Sequence, residues 1–221
     1  MADSLHQNIF LAGPVGRLEA IYWKSAGAAP LSAVVCHPHP LFGGTMHNKV
    51  VYHVARTLDR LGIPSLRFNF RGAGLSAGEH DKGRGEQDDV RAAVDFLAGE
   101  YAGVPLLVAG FSFGCWVGLR VGCGDARVKE LIGLGAPVDN SDFSYLAGCS
   151  KPRLFIQGEL DQFGAPANLE KLVATFPGQT RWETRVEIVP GADHFFAGKL
   201  QIVDAALTKW LTGRHPELAS K

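Results

Sequence analysis

The stretch Leu106-Leu107-Val108-Ala109-Gly110-Phe111-Ser112-Phe113-Gly114 decides how this chain reads. Residues 105–111 form a short continuous apolar run of the kind that makes a buried strand, and a helical pattern begins at Phe113. Between them stands G-x-S-x-G. A serine lifted off a sheet on a sharp strand-to-helix turn sits in a strained backbone conformation, and the residues two before and two after it crowd together. Gly110 and Gly114 leave free the space that a Cβ would fill. Gly and Ser are common enough for the pentamer to arise by chance, so its place between strand and helix carries the inference. Gly118 and Gly122 continue the series at four-residue steps. Each glycine costs a helix about 1 kcal/mol relative to alanine, so three on one face predict a helix lying unusually close to the sheet.

A serine hydroxyl of ordinary basicity is a weak nucleophile and needs a base, itself oriented by an acid. After such a turn the partners follow in the order acid, then histidine. Only His194 and His215 lie downstream of Ser112. His215 stands beside Pro216 in a polar tail, whereas His194 lies in Pro190-Gly191-Ala192-Asp193-His194-Phe195-Phe196, a loop between a strand and the last helix. His194 is therefore the candidate base. Leu154-Phe155-Ile156-Gln157-Gly158-Glu159-Leu160-Asp161 ends a strand in a turn with two carboxylates. Asp161, past the turn, is the candidate acid and Glu159 the reserve. Asp193 is set aside because adjacent side chains rarely face each other.

Acyl transfer also needs donors aimed at the oxygen that becomes negative. One is the backbone N–H of Phe113. The other is expected from His37-Pro38-His39-Pro40-Leu41-Phe42-Gly43-Gly44, which follows the strand 31–36. Pro38 and Pro40 have no N–H to give, so Leu41 is the predicted donor, with Phe42 second. His37, His39 and His47 invite a metal reading, but no carboxylate or cysteine follows at ligand spacing. Loop histidines holding backbone carbonyls explain them better, and the reading calls for no metal and no cofactor. Gly72-Ala73-Gly74-Leu75-Ser76-Ala77 reads literally as a dinucleotide fingerprint, yet a polar loop follows it where a helix should begin.

Outward from these motifs, apolar β-rich runs alternate with helix-period segments, the pattern of a mostly parallel sheet covered on both faces. Residues 9–12 and 18–23 flank Gly13-Pro14-Val15-Gly16 and predict an antiparallel hairpin. Strands are expected at 31–36, 63–70, 105–111, 128–135, 152–158 and 185–189. Helices are expected at 50–61 (capped by Asn48 and ended by Gly62), at 86–98, from Phe113, at 166–176 and at 199–211. That makes about eight strands, those after the hairpin joined by helical crossovers. The chain reads as one domain, 1–221, with 1–30 contributing the hairpin and 213–221 a frayed tail.

With 221 residues, one domain of this size hides roughly 70–75% of its unfolded surface and needs no staples. Lys plus Arg and Asp plus Glu each number 22. That balance argues against a nucleic-acid footprint and against a polybasic membrane patch. No apolar run approaches the roughly 18 residues of a membrane span, and the first thirty residues lack the order of a signal peptide. Cys36, Cys115, Cys123 and Cys149 are spread out without a C-x-x-C pair, so they read as reduced thiols of a cytoplasmic protein.

Together these residues resemble the α/β-hydrolase superfamily over nearly the whole chain. Phe68-Asn69-Phe70-Arg71-Gly72-Ala73-Gly74-Leu75-Ser76 looks like the superfamily's turn after the fourth strand, which accounts for its glycines. The His37–Gly44 run is similar to that of small bacterial-type hydrolases related to dienelactone hydrolases, although those proteins use a cysteine where this chain has Ser112. The resemblance implies Ser112, Asp161 and His194 as a triad, with Leu41 and Phe113 shaping the oxyanion hole. It also implies a lid after the sixth strand, for which residues 139–151 are too short. An open cleft is therefore expected, bordered by Phe143, Tyr145, Phe163, Phe195 and Phe196, with Phe42, Phe163 and Phe195 contacting substrate. The expected partner is a small-molecule ester, short-chain or bulky and soluble. Thioesterase and peptidase activities use the same residues, and a non-catalytic ligand-binding module is the rival of another class. Pairing of two subunits through the hairpin edge or the last helix is left open.

Overall fold

Gly13 and Gly16 bracket a two-residue turn, and the strands on either side, β1 (His6–Gly13) and β2 (Gly16–Trp23), pair antiparallel as expected. They are seen in a computed structural model that describes residues 6–25 and 27–220. Residues 1–5 and 26 of the expected hairpin segment, and 221 of the expected tail, lie outside the described residues. Six further strands follow: β3 (Ser32–Cys36), β4 (Ser65–Phe68), β5 (Leu106–Phe111), β6 (Val128–Leu134), β7 (Arg153–Gly158) and β8 (Thr184–Val189). The eight form one sheet in the order β1-β2-β4-β3-β5-β6-β7-β8. Only β1–β2 and β2–β4 pair antiparallel. The others pair parallel.

The helices are α1 (Lys49–Arg60), α2 (Gly85–Glu100), α3 (Phe113–Gly124), α4 (Pro166–Ala174), α5 (Gly178–Trp182) and α6 (Leu200–Arg214). Alternate residues of each strand point to opposite faces, so the sheet separates two cores. Val34, Leu66, Phe68, Val108 and Leu131 pack with α2 and α3 on one face. Ala33, Val35, Leu107, Ala109, Ile132 and Leu154 pack with α1 and α6 on the other. Asn48 caps α1 by accepting from the Val50 N–H, and Gly62 lies just beyond its end at φ 71°. All four cysteines are free thiols.

Three expectations need correction. The connection from β6 to β7 is no helical crossover but a loop holding a 3-10 turn at Ser144–Gly148. The helix α5 was not anticipated, because five residues are too few to show a period. The tail is not frayed: α6 runs on to Arg214, Leu218 is buried, and Arg214 and His215 both bond Glu130 of β6. Glu130 is itself buried, and these two side chains hold the end of α6 against β6.

The order β4-β3-β5 places a switch point between β3 and β5. The chain leaves β3 for one side and β5 for the other, so the loops at their carboxyl ends diverge and leave a crevice. The loops after β3, β4, β5, β7 and β8 gather at that edge.

Candidate active site

Ser112 is the hinge of the strand-to-helix turn. Its φ of 55° and ψ of −119° lie outside the basins that side chains ordinarily occupy. The glycines on either side explain how the turn closes: a Cβ on Gly110 would run into the carbonyl of Gly114. One on Gly114 would come within 2.5 Å of the Cys36 and His37 carbonyl oxygens. The stripe continues along α3, where a Cβ on Gly122 would meet Leu131 at 2.5 Å, so the helix does lie against the sheet as the spacing predicts.

The structure brings the three predicted side chains together from β5, β7 and β8. Ser112 Oγ lies 2.9 Å from His194 Nε2, and His194 Nδ1 lies 2.8 Å from Asp161 Oδ2. An ionised carboxylate can only accept, so the proton sits on Nδ1 and Nε2 is left to accept from the serine hydroxyl. His194 is 2% exposed and Asp161 5%. A buried carboxylate needs partners, and Asp161 Oδ1 accepts from the Phe163 N–H at 2.8 Å and the Gly164 N–H at 3.2 Å. Glu159 instead accepts from the Gly191 N–H, and Asp193 from the N–H groups of Phe195 and Ala197, so neither serves His194.

Sequence reasoning passed over Gln157. This fully buried side chain of β7 donates from Nε2 to Asp161 Oδ2 at 2.9 Å and to the Gly164 carbonyl at 2.7 Å. Its Oε1 accepts from the Ala136 N–H at 2.8 Å. One amide thus ties the acid's loop to the end of β6. The signal was present: a glutamine directly after the apolar run Leu154-Phe155-Ile156, four residues before the acid.

The loop after β3 is a 3-10 turn at Pro40–Phe42 with its own internal bonds. Phe42 N–H donates to the His39 carbonyl, and Leu41 N–H donates to His39 Nδ1 at 3.2 Å. The predicted Leu41 donor is therefore capped by an imidazole in this structure. Phe113, by contrast, opens α3, where an N–H has no intrahelical acceptor. His37 is fully buried, with Nδ1 at 2.6 Å from the Pro38 carbonyl and Nε2 accepting from the Phe70 N–H at 2.9 Å. Burial pushes its pKa down to about 4, so it stays neutral, and both nitrogens are committed to the backbone. His47 is exposed. Among the described residues no group of three His, Cys, Asp or Glu side chains is placed to hold a metal.

The turn after β4 is held by a buried ion pair. Arg71 forks onto Asp89 of α2 with Nη2–Oδ1 at 2.7 Å and Nε–Oδ2 at 3.0 Å, and its backbone N–H adds a third bond. Asn69 accepts from the Met46 N–H and donates to Glu19, tying this turn to the neighbouring loop and to β2.

A cleft of about 650 Å³ opens over Ser112. Phe42, Phe163 and Phe195 line it, and all three are at least 40% exposed. Phe143 and Phe196 are buried in the cores instead, and Tyr145 packs behind Trp116, donating its hydroxyl to the Trp116 carbonyl. His39, His80, Trp116 and Asn140 also line the cleft and were not foreseen as substrate contacts. Among the described residues no helix covers the opening, and none is long and apolar enough to cross a membrane.

A mostly parallel eight-stranded sheet, a strained serine between β5 and α3, and a cleft without a lid define a hydrolase of the α/β class. The chain belongs to the family of alpha/beta hydrolase domains, whose model matches residues 33–208. It is 36% identical over 208 residues to an uncharacterized protein of Rickettsia prowazekii, covering 92% of this chain and 87% of that one. Among solved structures it is similar to an a/b serine hydrolase without lid from Xanthomonas campestris, with 37% identity, 94% of each chain covered and a TM-score of 0.84. An alpha-beta serine hydrolase homologue from Coxiella burnetii matches with 33% identity, 96% and 98% coverage and a TM-score of 0.86. A putative alpha/beta hydrolase from Agrobacterium tumefaciens matches with 33% identity, 96% and 97% coverage and a TM-score of 0.88.

Proposed function

We propose that this hydrolase cleaves carboxylic esters through an acyl-enzyme formed on Ser112. The observation that carries the reading is the continuous chain from Ser112 Oγ through His194 to Asp161, at 2.9 and 2.8 Å. His194 Nε2 takes the hydroxyl proton as the oxygen attacks the ester carbonyl, and Asp161 stabilises the imidazolium that forms. The N–H groups of Phe113 and Leu41 receive the developing oxyanion. Leu41 exchanges its imidazole acceptor for an anionic one, which binds a donor about twice as strongly. His194 then protonates the leaving alcohol, and water attacks the acyl-serine by the same route in reverse.

The open, aromatic-bordered cleft supports short-chain or bulky esters over long acyl chains, which need an enclosed apolar tunnel. Turnover of acetyl, butyryl and palmitoyl nitrophenyl esters tests this, and preference for the longest chain defeats it. Ser112→Ala tests the mechanism: kcat is expected to fall by at least ~10³ while the melting midpoint barely moves. Near-normal turnover in that variant ends the reading. Thioesters and peptide amides pass through the same intermediate, so a panel of the three bond types ranks them. Labelling of Ser112 by a fluorophosphonate separates an enzyme from a ligand-binding module.

A further inference from the structure

The cleft wall holds a second carboxylate–imidazole pair that the mechanism above does not use. Glu86, in the first turn of α2, is fully buried. Its oxygens accept from the N–H groups of Asp81 and Gly83, each at 2.8 Å. Its Oε1 also lies 2.7 Å from Nδ1 of His80, a ring only 9% exposed that lines the cleft. The Nδ1 donor axis misses the oxygen, so this is a close contact and not an aligned hydrogen bond. Two bare lone pairs at that distance would repel, so the proton sits on Nδ1. In the neutral ring Nε2 is then the nitrogen left to accept, without a partner among the described residues.

His39 stands beside it, the two ring centroids 4.7 Å apart. Because His39 Nδ1 accepts from the Leu41 N–H, its own proton is on Nε2. Burial and the neighbouring His80 hold the His39 pKa below its ordinary value of 6.5, which favours that neutral form. An N–H donor and an imidazole nitrogen are thus presented side by side. Their surroundings are aromatic: Phe113 lies 4.9 Å from the His39 ring and 5.6 Å from that of His80, and Phe42 lies 4.8 Å from His39.

A hydroxyl complements this pair chemically, accepting from the His39 N–H and donating to the His80 nitrogen. We propose that His39 and His80 form a specificity subsite for a hydroxyl carried on an aromatic acyl or alcohol group of the ester. The subsite rests on the ester-hydrolase reading and names the substrate class for it: hydroxyaryl esters.

The test compares hydroxy- with methoxy-substituted partners, which are electronically alike at the carbonyl. Methyl 4-hydroxybenzoate and methyl 4-methoxybenzoate probe the acyl side, and 4-hydroxyphenyl and 4-methoxyphenyl acetate the alcohol side. The unsubstituted and 4-carboxy analogues complete the panel. Sites built to bond a hydroxyl reject analogues lacking it steeply, and in this open cleft at least a tenfold preference in kcat/KM is expected on one side. In His80→Phe the hydroxy-to-methoxy ratio is expected to collapse to within about threefold of unity. His80→Leu, which can neither donate nor accept, serves as the second variant should the larger ring disturb the loop. Equal kcat/KM for the partners in the wild-type enzyme, a preference that survives both variants, or a stronger preference for the carboxylate ester overturns the subsite. So does labelling of Ser112 without turnover of the hydroxyaryl esters. In each of these cases fluorophosphonate labelling and hydrolysis of simpler esters leave the underlying reading standing. Loss of labelling and of all ester turnover in the wild-type protein defeats both.

Discussion

Replacing Gln157 by leucine separates support of the acid from the chemistry of the serine. The leucine keeps the volume and removes every polar atom. The Ala136 N–H then loses its acceptor and the Gly164 carbonyl its donor, both in a buried setting. An orphaned buried backbone group costs about 1–3 kcal/mol, so two cost about 2–6 kcal/mol, offset by about 1 kcal/mol of added apolar burial. A net loss of about 3 kcal/mol corresponds to a fall in Tm of about 6–12 °C for a chain of this length. Asp161 also loses one donor, but it keeps His194 and the two N–H groups of Phe163 and Gly164. The catalytic deficit should therefore be near tenfold in kcat, or about 1.4 kcal/mol, far short of that from removing Ser112. Thermal melting and steady-state hydrolysis of nitrophenyl acetate read the two effects on one sample. A midpoint that moves by less than about 2 °C, or a kcat as low as that of Ser112→Ala, would refute the reasoning.

Gly114→Ala places a Cβ against two backbone carbonyls that cannot rotate away, so α3 must lift from β3. A loss of about 1–3 kcal/mol in chemical denaturation and slower fluorophosphonate labelling of Ser112 are expected together. Gly99→Ala, in α2 with nothing within 4 Å of the new methyl group, should do the opposite and stabilise by about 0.5–1 kcal/mol with kcat unaltered. His37 gives a signed pH dependence. Its folded-state pKa of about 4 lies below the ordinary 6.5, chiefly through burial, so below pH 6.5 the unfolded chain takes up a proton that the folded one refuses. This contribution is complete above pH 6.5 and is lost as pH falls towards 4, to the extent of about 3 kcal/mol. Urea midpoints measured between pH 7 and pH 4 should therefore fall less steeply in His37→Gln than in the wild-type chain, and parallel profiles would contradict the assignment.

Much of the site was readable along the chain because its requirements are local. The steric demands of the turn at Ser112 are met within two residues on either side, and the Asn48 cap of α1 is a contact over two. The order of acid and histidine left few candidates. The donor loop was located as well, but the acceptor of the Leu41 N–H was not, since the competing atom is a side-chain nitrogen whose rotamer depends on Phe113 and His80. Gln157 escaped for a similar reason: it bonds Asp161 and Gly164 in its own loop and also Ala136 after β6, a partner that only the pairing of β6 with β7 brings near. Phe143, Tyr145 and Phe196 illustrate the limit on aromatic residues. Loop position was known for each, yet side-chain direction is set by packing against elements far away in the chain.

Sequence alone therefore determined the backbone shapes that glycine, proline and alternating apolar residues impose over a few positions, and with them the sheet, the strained serine and the absence of room for a lid. Tertiary structure decided which groups meet across the carboxyl edge of the sheet: His194 with Ser112 and Asp161, Gln157 with the Ala136 amide, and His39 with His80. Those pairings depend on strand order and on register, where a shift of one residue reverses every side chain. Neither is encoded in any short stretch of the chain.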